Sequence, residues 1–317
     1  MLKYLIVKLD DTSVSFCHYP NSRKEKHLIV PSILEKAVLW AMKENLVIQY
    51  LYPDYKLPAE YQDIINRTNH VDIVSDKCAD TQFRESADVV VFNSWGELAK
   101  YSFRDVQSYV IRTTLEDLFV NEKVLVGVLG KLNRLNVTIS DIAGFAREDE
   151  YKEFLDKIAT SLVEEYKKGH NVQLNLLTDR ILLDEMNNCN AGVESITLAP
   201  DGKFYVCPAF YLDGKEGFSV GDIESGLDIK NPQLYRLDHA PICRNCDAWQ
   251  CRRCVWLNRR LTLEVNTPGR EQCVLAHIER NASRKLLSEI RKRGLFITEK
   301  DIPAIDYLDP FEIINKH

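Results

Sequence analysis

Nine cysteines in a chain of 317 residues supply the most reactive chemistry in this sequence. Four of them, Cys243, Cys246, Cys251 and Cys254, are spaced Cys-x2-Cys-x4-Cys-x2-Cys. The thiolate is the form of cysteine that binds metal, and closely spaced cysteines in a reducing compartment are more typical of metal sites than of disulfides. The spacing therefore predicts a metal site in residues 243–254.

Three further cysteines flank this motif. Cys189 and Cys207 bracket the stretch "NAGVESITLAPDGKFYV", in which "APDG" predicts a hairpin turn that returns Cys207 close to Cys189. Cys273 follows Cys254 after eighteen residues. A single zinc bound by residues 243–254 would leave these three cysteines unused, and the two pairs lie closer together than in most zinc ribbons. The spacing favours iron–sulfur clusters, with structural zinc as the alternative.

Composition and charge exclude several classes of protein. The formal net charge is −6, which argues against a chain that binds nucleic acid by bulk electrostatics. No apolar run approaches the roughly 18 residues that a membrane span needs. The N-terminal segment "MLKYLIVKLDDTSVS" predicts a first strand rather than a signal peptide. We expect a cytoplasmic protein with neither a nucleic-acid nor a membrane partner.

Short apolar runs rich in β-branched residues alternate with amphipathic segments before residue 180. The runs predict buried parallel strands over 4–9, 46–52, 71–75, 88–94, 106–113, 135–141 and 172–179. Apolar residues at helical spacing predict helices over 32–44 and 150–167. Ser32 with Glu35, and Thr114 with Asp117, form predicted capping boxes at helix starts. The alternation predicts an α/β fold, either an open sheet or an incomplete (β/α) barrel of about six parallel strands.

The character of the sequence changes near residue 180, where cysteine, glycine and proline become frequent. A small irregular domain of this kind buries little apolar surface, and a metal site is the usual substitute. A helical pattern then begins at Cys273. We predict a partial barrel over 1–180, a small cysteine-rich metal domain over 181–280, and a C-terminal helix and tail over 281–317.

The order of the later cysteines resembles the SPASM domain of radical-SAM peptide maturases. The shared features are Cys-x12-Gly-x4-Cys, the four-cysteine motif and a final cysteine, although the usual motif is one residue longer in each of two gaps. Over the full length, "MLKYLIVKLDDTSVSFCHYPN", "AMKENLVIQYLYPDYKLP" and "QCVLAHIERNASRKLL" resemble the CXXX repeat peptide maturase family. This resemblance implies a ribosomally made, cysteine-rich precursor peptide as partner, and it leaves room for a second maturation protein.

The resemblance also implies two auxiliary [4Fe–4S] clusters. The first cysteine site of the family pattern corresponds to Cys189, Cys207 and Cys254. The second cysteine site corresponds to Cys243, Cys246, Cys251 and Cys273. A fourth ligand of the first cluster often lies six residues after its first cysteine, where this chain has Ser195, so that cluster has an open iron or a non-cysteine ligand. His277, one helical turn after Cys273, is a further candidate ligand.

The cysteine triad that radical-SAM enzymes place after the first strand is incomplete in this chain. Cys-x3-Cys-x2-Cys holds the cluster that binds S-adenosylmethionine, yet only Cys17 is found here. Asp10 and Val14 occupy the other two positions, and valine cannot ligate iron. The remaining N-terminal cysteine, Cys78, is over sixty residues away. We therefore predict that the protein does not cleave S-adenosylmethionine by the usual route.

Three hypotheses stay open at this point, and none assigns a catalytic residue. The first is a cluster-binding peptide-maturation protein without radical chemistry. The second is an inert binding module with structural zinc. The third is an enzyme that uses the open iron of the first cluster as a Lewis acid or as an anchor for a thiolate.

Overall fold

A single eleven-stranded sheet organises the chain, whose computed structural model describes residues 2–183, 189–248, 251 and 253–302. The strands are β1 (Tyr4–Lys8), β2 (Val47–Leu51), β3 (His70–Ser75), β4 (Val89–Phe92), β5 (Ser108–Thr113), β6 (Arg134–Ile139), β7 (Gln173–Leu174), β8 (Ser195–Leu198), β9 (Lys203–Tyr205), β10 (Ser219–Asp222) and β11 (Gly226–Leu227). Each of the seven predicted runs contains or overlaps one of the strands β1 to β7.

Helices connect most of these strands. They are α1 (Pro31–Glu44), α2 (Ala59–Ile65), α3 (Thr81–Ser86), α4 (Trp95–Lys100), α5 (Leu115–Val120), α6 (Glu122–Leu129), α7 (Glu148–Lys167), α8 (Asp179–Leu182), α9 (Pro208–Leu212), α10 (Val255–Thr262) and α11 (Arg270–Lys292). Short 3-10 turns cover Pro232–Tyr235, Leu237–His239 and Cys243–Asn245. No described helix is both long and apolar enough to cross a membrane.

The sheet order is β11-β10-β9-β8-β1-β2-β3-β4-β5-β6-β7. Strands β1 to β7 lie side by side in chain order and pair in parallel, as repeated βα units do. Strand β8 pairs in parallel with the other side of β1, and β9 to β11 continue antiparallel from it. The predicted α/β architecture with a mostly parallel sheet is confirmed, and its parallel part contains eight strands.

Both faces of the parallel sheet are buried. The main core lies between one face and the helices, and α11 packs along α7. The opposite face, here called the inner face, has a smaller apolar cluster formed by Ile6, Val14, Leu51, Ile73, Val91 and Val110. Val14 belongs to the segment after β1, so that segment covers the inner face. Helix α11 runs through residue 280, which was the predicted end of the cysteine-rich domain.

Sequence signals for element ends succeed at Thr114 and fail at Ser32. The Thr114 side chain accepts a hydrogen bond from the Asp117 N–H and caps α5. Helix α1 begins at Pro31, one residue before the predicted cap, and Val30 precedes it without a side-chain cap bond. Proline's fixed φ suits the first helical position, so Ser32 lies inside the first turn, where it cannot act as the cap.

The strand predicted over 172–179 is shorter than expected because a side chain takes over its pairing. Only Gln173 and Leu174 form β7. The Asn175 side chain then accepts a hydrogen bond from the Val137 N–H at 2.9 Å and donates one to the Val137 carbonyl at 3.1 Å. The Asn175 amide thus pairs with the Val137 N–H and carbonyl groups at the edge of β6. The backbone after β7 is then free to turn into α8.

Candidate metal centre

The four thiols of the second cysteine site line one cavity of about 150 Å³. Cys243 opens a 3-10 turn, and the Cys246 N–H closes that turn on the Cys243 carbonyl at 3.1 Å. The Cys251 N–H donates to the Ala248 carbonyl at 3.2 Å, which folds the loop back on itself. Cys273 reaches the cavity from the first turn of α11. A loop and a distant helix thus converge on one point.

Burial raises the pKa values of Cys243, Cys251 and Cys273. Desolvation, followed by the charges of neighbouring cysteines, raises the pKa of Cys251 to about 12 and that of Cys273 to about 11. The pKa of Cys243 is raised for the same reasons, against an opposing effect of Arg253. Thiols with such pKa values stay protonated at neutral pH unless a cation compensates the thiolate charge. The donor set therefore fits a metal ion or cluster.

An imidazole also faces this site. His277 Nε2 lies 3.6 Å from Cys246 Sγ, and burial followed by the charge of Arg280 lowers the pKa of His277. The ligand atoms of Cys246, Asp247 and His277 lie within 4.8 Å of one another. The Asp247 carboxylate pairs with Arg280 and, at 3.2 Å, with Arg284, so it belongs to an ion-pair network on α11.

The first cysteine site begins with the hairpin that the sequence predicts. Strands β8 and β9 pair antiparallel, and Gly202, at φ +77°, adopts the left-handed conformation that the turn between them requires. Cys207 lies two residues after the end of β9 and is the N-cap of α9. The Ser195 Oγ donates to the Cys189 carbonyl at 2.9 Å. The hairpin therefore brings the first two predicted ligands to one end of the sheet, and the Ser195 hydroxyl is hydrogen-bonded to the backbone there.

Cys254 reaches the same place as the N-cap of α10. Burial, followed by the charges of Cys254 and Cys189, raises the pKa of Cys207 well above its usual range. Burial, followed by the charge of Cys189, raises the pKa of Cys254 to about 12. These mutual effects show that the three thiols of the first site are neighbours.

Backbone N–H groups are directed at the thiols of the first site. The Ala191 N–H donates a hydrogen bond to Cys189, and the Ala209 N–H donates one to Cys207. The N–H groups of Trp256 and Leu257 donate to Cys254. Each of these bonds lowers the thiol pKa and therefore favours the thiolate. Such donors around buried sulfur are a feature expected of a thiolate-ligated cluster.

A buried guanidinium lies between the two sites. Arg253 is 4% exposed, its Nη1 donates to the Tyr235 carbonyl at 3.0 Å, and it lines the cavity of the second site. Its charge lowers the pKa of Cys189 in the first site and of Cys243 in the second. Its Nε and Nη2 find no hydrogen-bond partner in the described part of the chain. A thiolate-rich cluster would supply the negative charge that this buried cation lacks.

Arg244, which also lies within the motif, does not share this position, because it is exposed to solvent. Arg252 lies outside the described residues. Sequence reasoning missed Arg180 on α8, which is fully buried and lowers the pKa of Cys251. Arg180 Nη2 pairs with Glu279 on α11 at 2.9 Å. Nothing in the local sequence signals this contact, because it joins elements ninety-nine residues apart.

Comparison with solved structures identifies the fold. The protein anSMEcpe with bound AdoMet matches with a TM-score of 0.63 at 12% identity, over 92% of this chain and 100% of that one. The chain has the fold of anSMEcpe. Structures of anSMEcpe with AdoMet and the Cp18Cys or Kp18Cys peptide match at TM-scores of 0.57 and 0.58, with the same identity and coverage. No protein-family model and no curated protein matches the chain.

The segment after β1, where radical-SAM enzymes hold their reactive cluster, is filled by internal contacts in this chain. The buried Asp10 carboxylate accepts hydrogen bonds from the Thr12 N–H at 2.8 Å and from the Tyr55 hydroxyl at 3.0 Å. Val14 is 8% exposed and packs in the apolar cluster of the inner face. Two of the three triad positions therefore serve the folding of this segment.

Lys8 on β1 has an unusual environment next to this segment. It is 1% exposed, and its Nζ donates to the Ser13 carbonyl at 3.2 Å. Burial lowers the pKa of Lys8 to about 7, although the charges of Asp11 and Asp10 act in the opposite direction. The amine is therefore partly neutral at neutral pH in the folded protein.

We expect Lys8→Met to flatten the pH dependence of stability between pH 7.5 and 9.5. The unfolded chain keeps Lys8 protonated there while the folded chain does not, so wild-type stability rises with pH by up to about 1.4 kcal/mol per pH unit from this group. Urea denaturation across the window measures the slope. Lys100→Met, at an exposed lysine on α4, is the control and should keep the wild-type slope. Equal slopes in wild type and Lys8→Met would show that the amine stays charged.

A second depression lies at residues 52–57. Tyr52, Tyr55 and Leu57 line a cavity of about 200 Å³ together with Cys78 and Phe83. The Tyr52 and Phe83 rings meet edge to face at 4.7 Å between centroids. Cys78 is 4% exposed and belongs to the main core. Its place at this depression, rather than at either cysteine site, makes Cys78 a suitable control cysteine.

Proposed function

We propose that this chain is a peptide-maturation protein that holds two auxiliary [4Fe–4S] clusters and binds a cysteine-rich precursor peptide without cleaving S-adenosylmethionine itself. The observation that carries the proposal is the contrast between the later cysteines and the triad positions. Seven later cysteines converge on two sites, whereas Asp10 and Val14 of the triad positions are used in internal packing.

The residues of each site have distinct parts in this function. Cys243, Cys246, Cys251 and Cys273 would hold the second cluster, and Cys189, Cys207 and Cys254 the first. The bound clusters would supply electron transfer. Arg253 would offset the thiolate charge of both sites, and the N–H groups around the first site would stabilise its thiolates.

A cysteine-rich peptide fits the surface beside these sites. The cavity of the second site is lined mainly by apolar groups, including Ile139, Ile142 and Leu275, and it also contains His18 and Gln272. The depression at residues 52–57 offers a second apolar contact for an extended chain. We propose that the peptide lies across the cavity, with a second maturation protein supplying radical chemistry where the modification requires it.

Structural zinc is the second candidate, and the distance between Cys246 Sγ and His277 Nε2 is compatible with it. A tetrahedral zinc with bonds of about 2.3 Å to sulfur and about 2.0 Å to nitrogen places those two ligand atoms about 3.5 Å apart. Cys246 Sγ and His277 Nε2 are 3.6 Å apart. A hydrogen bond between the thiol and the imidazole gives the same separation, so the distance fits a zinc site without requiring one.

Analysis of metal and sulfide in anaerobically purified protein tests the proposal. We expect iron and acid-labile sulfide in equal amounts, with the broad visible absorption of thiolate-bound iron. The same preparation should bind a labelled peptide with Cys-x-x-x repeats more tightly than its serine-substituted counterpart. Stoichiometric zinc without sulfide would replace the cluster proposal with the zinc alternative. Equal affinity for the two peptides would contradict recognition of cysteine.

A further inference from the structure

The segment of residues 15–19 is fixed against the ends of two strands, β5 and β6. Arg112 on β5 donates from Nε to the Cys17 carbonyl at 2.8 Å and from Nη2 to the Tyr19 carbonyl at 2.9 Å. His18 Nδ1 bonds to the Ile139 carbonyl at the end of β6 at 2.8 Å, and Ser15 Oγ donates to the Tyr19 carbonyl. Cys17 is therefore held in one position by backbone contacts on both sides of it.

That position lies at the first cysteine site. After burial, the charges of Cys17 and Cys207 are the main reasons that the pKa of Tyr19 is raised. Cys17 also joins Cys254 and Cys189 among the groups that raise the pKa of Cys207. The Tyr19 ring meets the Trp256 ring edge to face at 6.4 Å, two residues after Cys254. The segment that carries Cys17 therefore packs against the start of α10, which has Cys254 at its N-cap.

A second observation indicates a ligand at the same place. The Tyr19 side chain is 4% exposed, yet its hydroxyl has no hydrogen-bond partner within the described ranges. A buried hydroxyl without a hydrogen-bond partner is costly. The sulfur atoms of a cluster between Cys17 and Cys207 would accept a hydrogen bond from it. Ser195, which replaces the family's fourth cysteine, donates instead to the Cys189 carbonyl. The site therefore has an unused donor and an unfilled ligand position.

We propose that Cys17 is the fourth protein ligand of the cluster at the first cysteine site, together with Cys189, Cys207 and Cys254. The proposal rests on the proposed function, because it requires a cluster there. The Cys17 thiol loses its proton to solvent, and the resulting thiolate binds the iron, with no change in oxidation state. The last cysteine of the incomplete triad is then used to close the auxiliary cluster. A closed cluster has no open iron, so this proposal excludes the anchoring of a substrate thiolate at that iron.

Labelled cyanide tests the proposal, because it binds to a cluster iron that lacks a protein ligand. The wild type, Cys17→Ala, Cys17→Ser and the control Cys78→Ala are loaded anaerobically, reduced and mixed with 13C-cyanide. Coupling of 13C to the cluster spin is then measured, and iron is counted after mild oxidation. We expect no coupling and no iron loss in wild type and Cys78→Ala. Cys17→Ala should show coupling and lose iron from the first site only.

The serine variant separates ligation from packing. Serine oxygen can ligate iron, so Cys17→Ser should exclude cyanide as the wild type does while its cluster spectrum changes. Complete loss of the first cluster in Cys17→Ala, with the second retained and both retained in Cys78→Ala, also supports ligation. Cyanide coupling in the wild type, or identical behaviour of wild type and Cys17→Ala, overturns the proposal. Failure of the proposed function itself is distinguishable, because it appears as wild-type protein without iron and sulfide.

Discussion

Reduced, cluster-loaded protein incubated with S-adenosylmethionine alone should yield no more 5′-deoxyadenosine than a blank without protein. Cleavage requires a cluster with three protein ligands and one open iron next to the sheet, and the triad positions here offer a single thiol. Val14 presents only methyl groups, and its place in the apolar cluster of the inner face leaves no polar donor to replace it. Chromatography of the quenched reaction measures the product.

The likeness to anSMEcpe means that the expected lack of cleavage does not follow from the fold. That fold is solved with AdoMet bound, and it matches the present chain over 92% of its length. The two proteins share a fold, so the expected lack of S-adenosylmethionine cleavage depends on Asp10 and Val14 at the triad positions. A radical-SAM enzyme that cleaves S-adenosylmethionine under the same conditions is the positive control. Repeated turnover by this chain alone would contradict the proposal that it lacks radical chemistry, and would require an unrecognised ligand set for the cluster.

The assignment of Cys17 gives an independent reason for the same outcome. If Cys17 ligates the first cluster, then the triad region retains no thiol for a cluster of its own. Arg112 donates hydrogen bonds to the Cys17 and Tyr19 carbonyl groups and so fixes the path of the segment that carries Cys17. The loss of radical chemistry and the closing of the auxiliary cluster would then result from the same local change.

Periodicity predicted the parallel strands well, because a buried strand needs a short apolar run whatever its neighbours are. All of β1 to β7 lie within or overlap the predicted runs, and the hairpin of β8 and β9 follows from its turn residues. Strand β7 is the exception in length, since the Asn175 side chain replaces its backbone pairing. The pattern of apolar residues in the sequence does not reveal where a side chain replaces backbone pairing.

Cysteine spacing and the family resemblance anticipated which thiols lie together, but not the charges around them. Cys207 and Cys254 are both helix N-caps, a feature that appears only once α9 and α10 are placed. Arg180 and Glu279 meet across the second site from distant parts of the chain. Cys17 looked like a remnant of the triad in the sequence, and its nearness to Cys207 depends on the path of the segment after β1. Long-range packing decides these points.

Replacement of Cys246 should remove the second cluster and destabilise the protein by more than about 3 kcal/mol, because metal binding and folding are coupled where metal ligands hold a loop in place. Cys246 joins the 3-10 turn to the loop that follows: its N–H bonds to Cys243, and its Sγ accepts the Ala248 N–H at 3.3 Å. Cys246→Ala therefore loses one ligand and one support of the loop together. Chemical denaturation under anaerobic conditions, with iron counting, measures both losses.

Cys78→Ala is the matched control, since Cys78 is a buried cysteine that lies at the depression beside Tyr52 and Phe83. It should cost only about 1 kcal/mol, the usual effect of a small cavity, and keep all the iron. The first site should load normally in Cys246→Ala, because its thiols come from different elements and their N–H donors are unaffected. Equal and mild effects of the two substitutions would show that the loop folds without metal. The second site would then be a packed group of thiols that holds no cofactor.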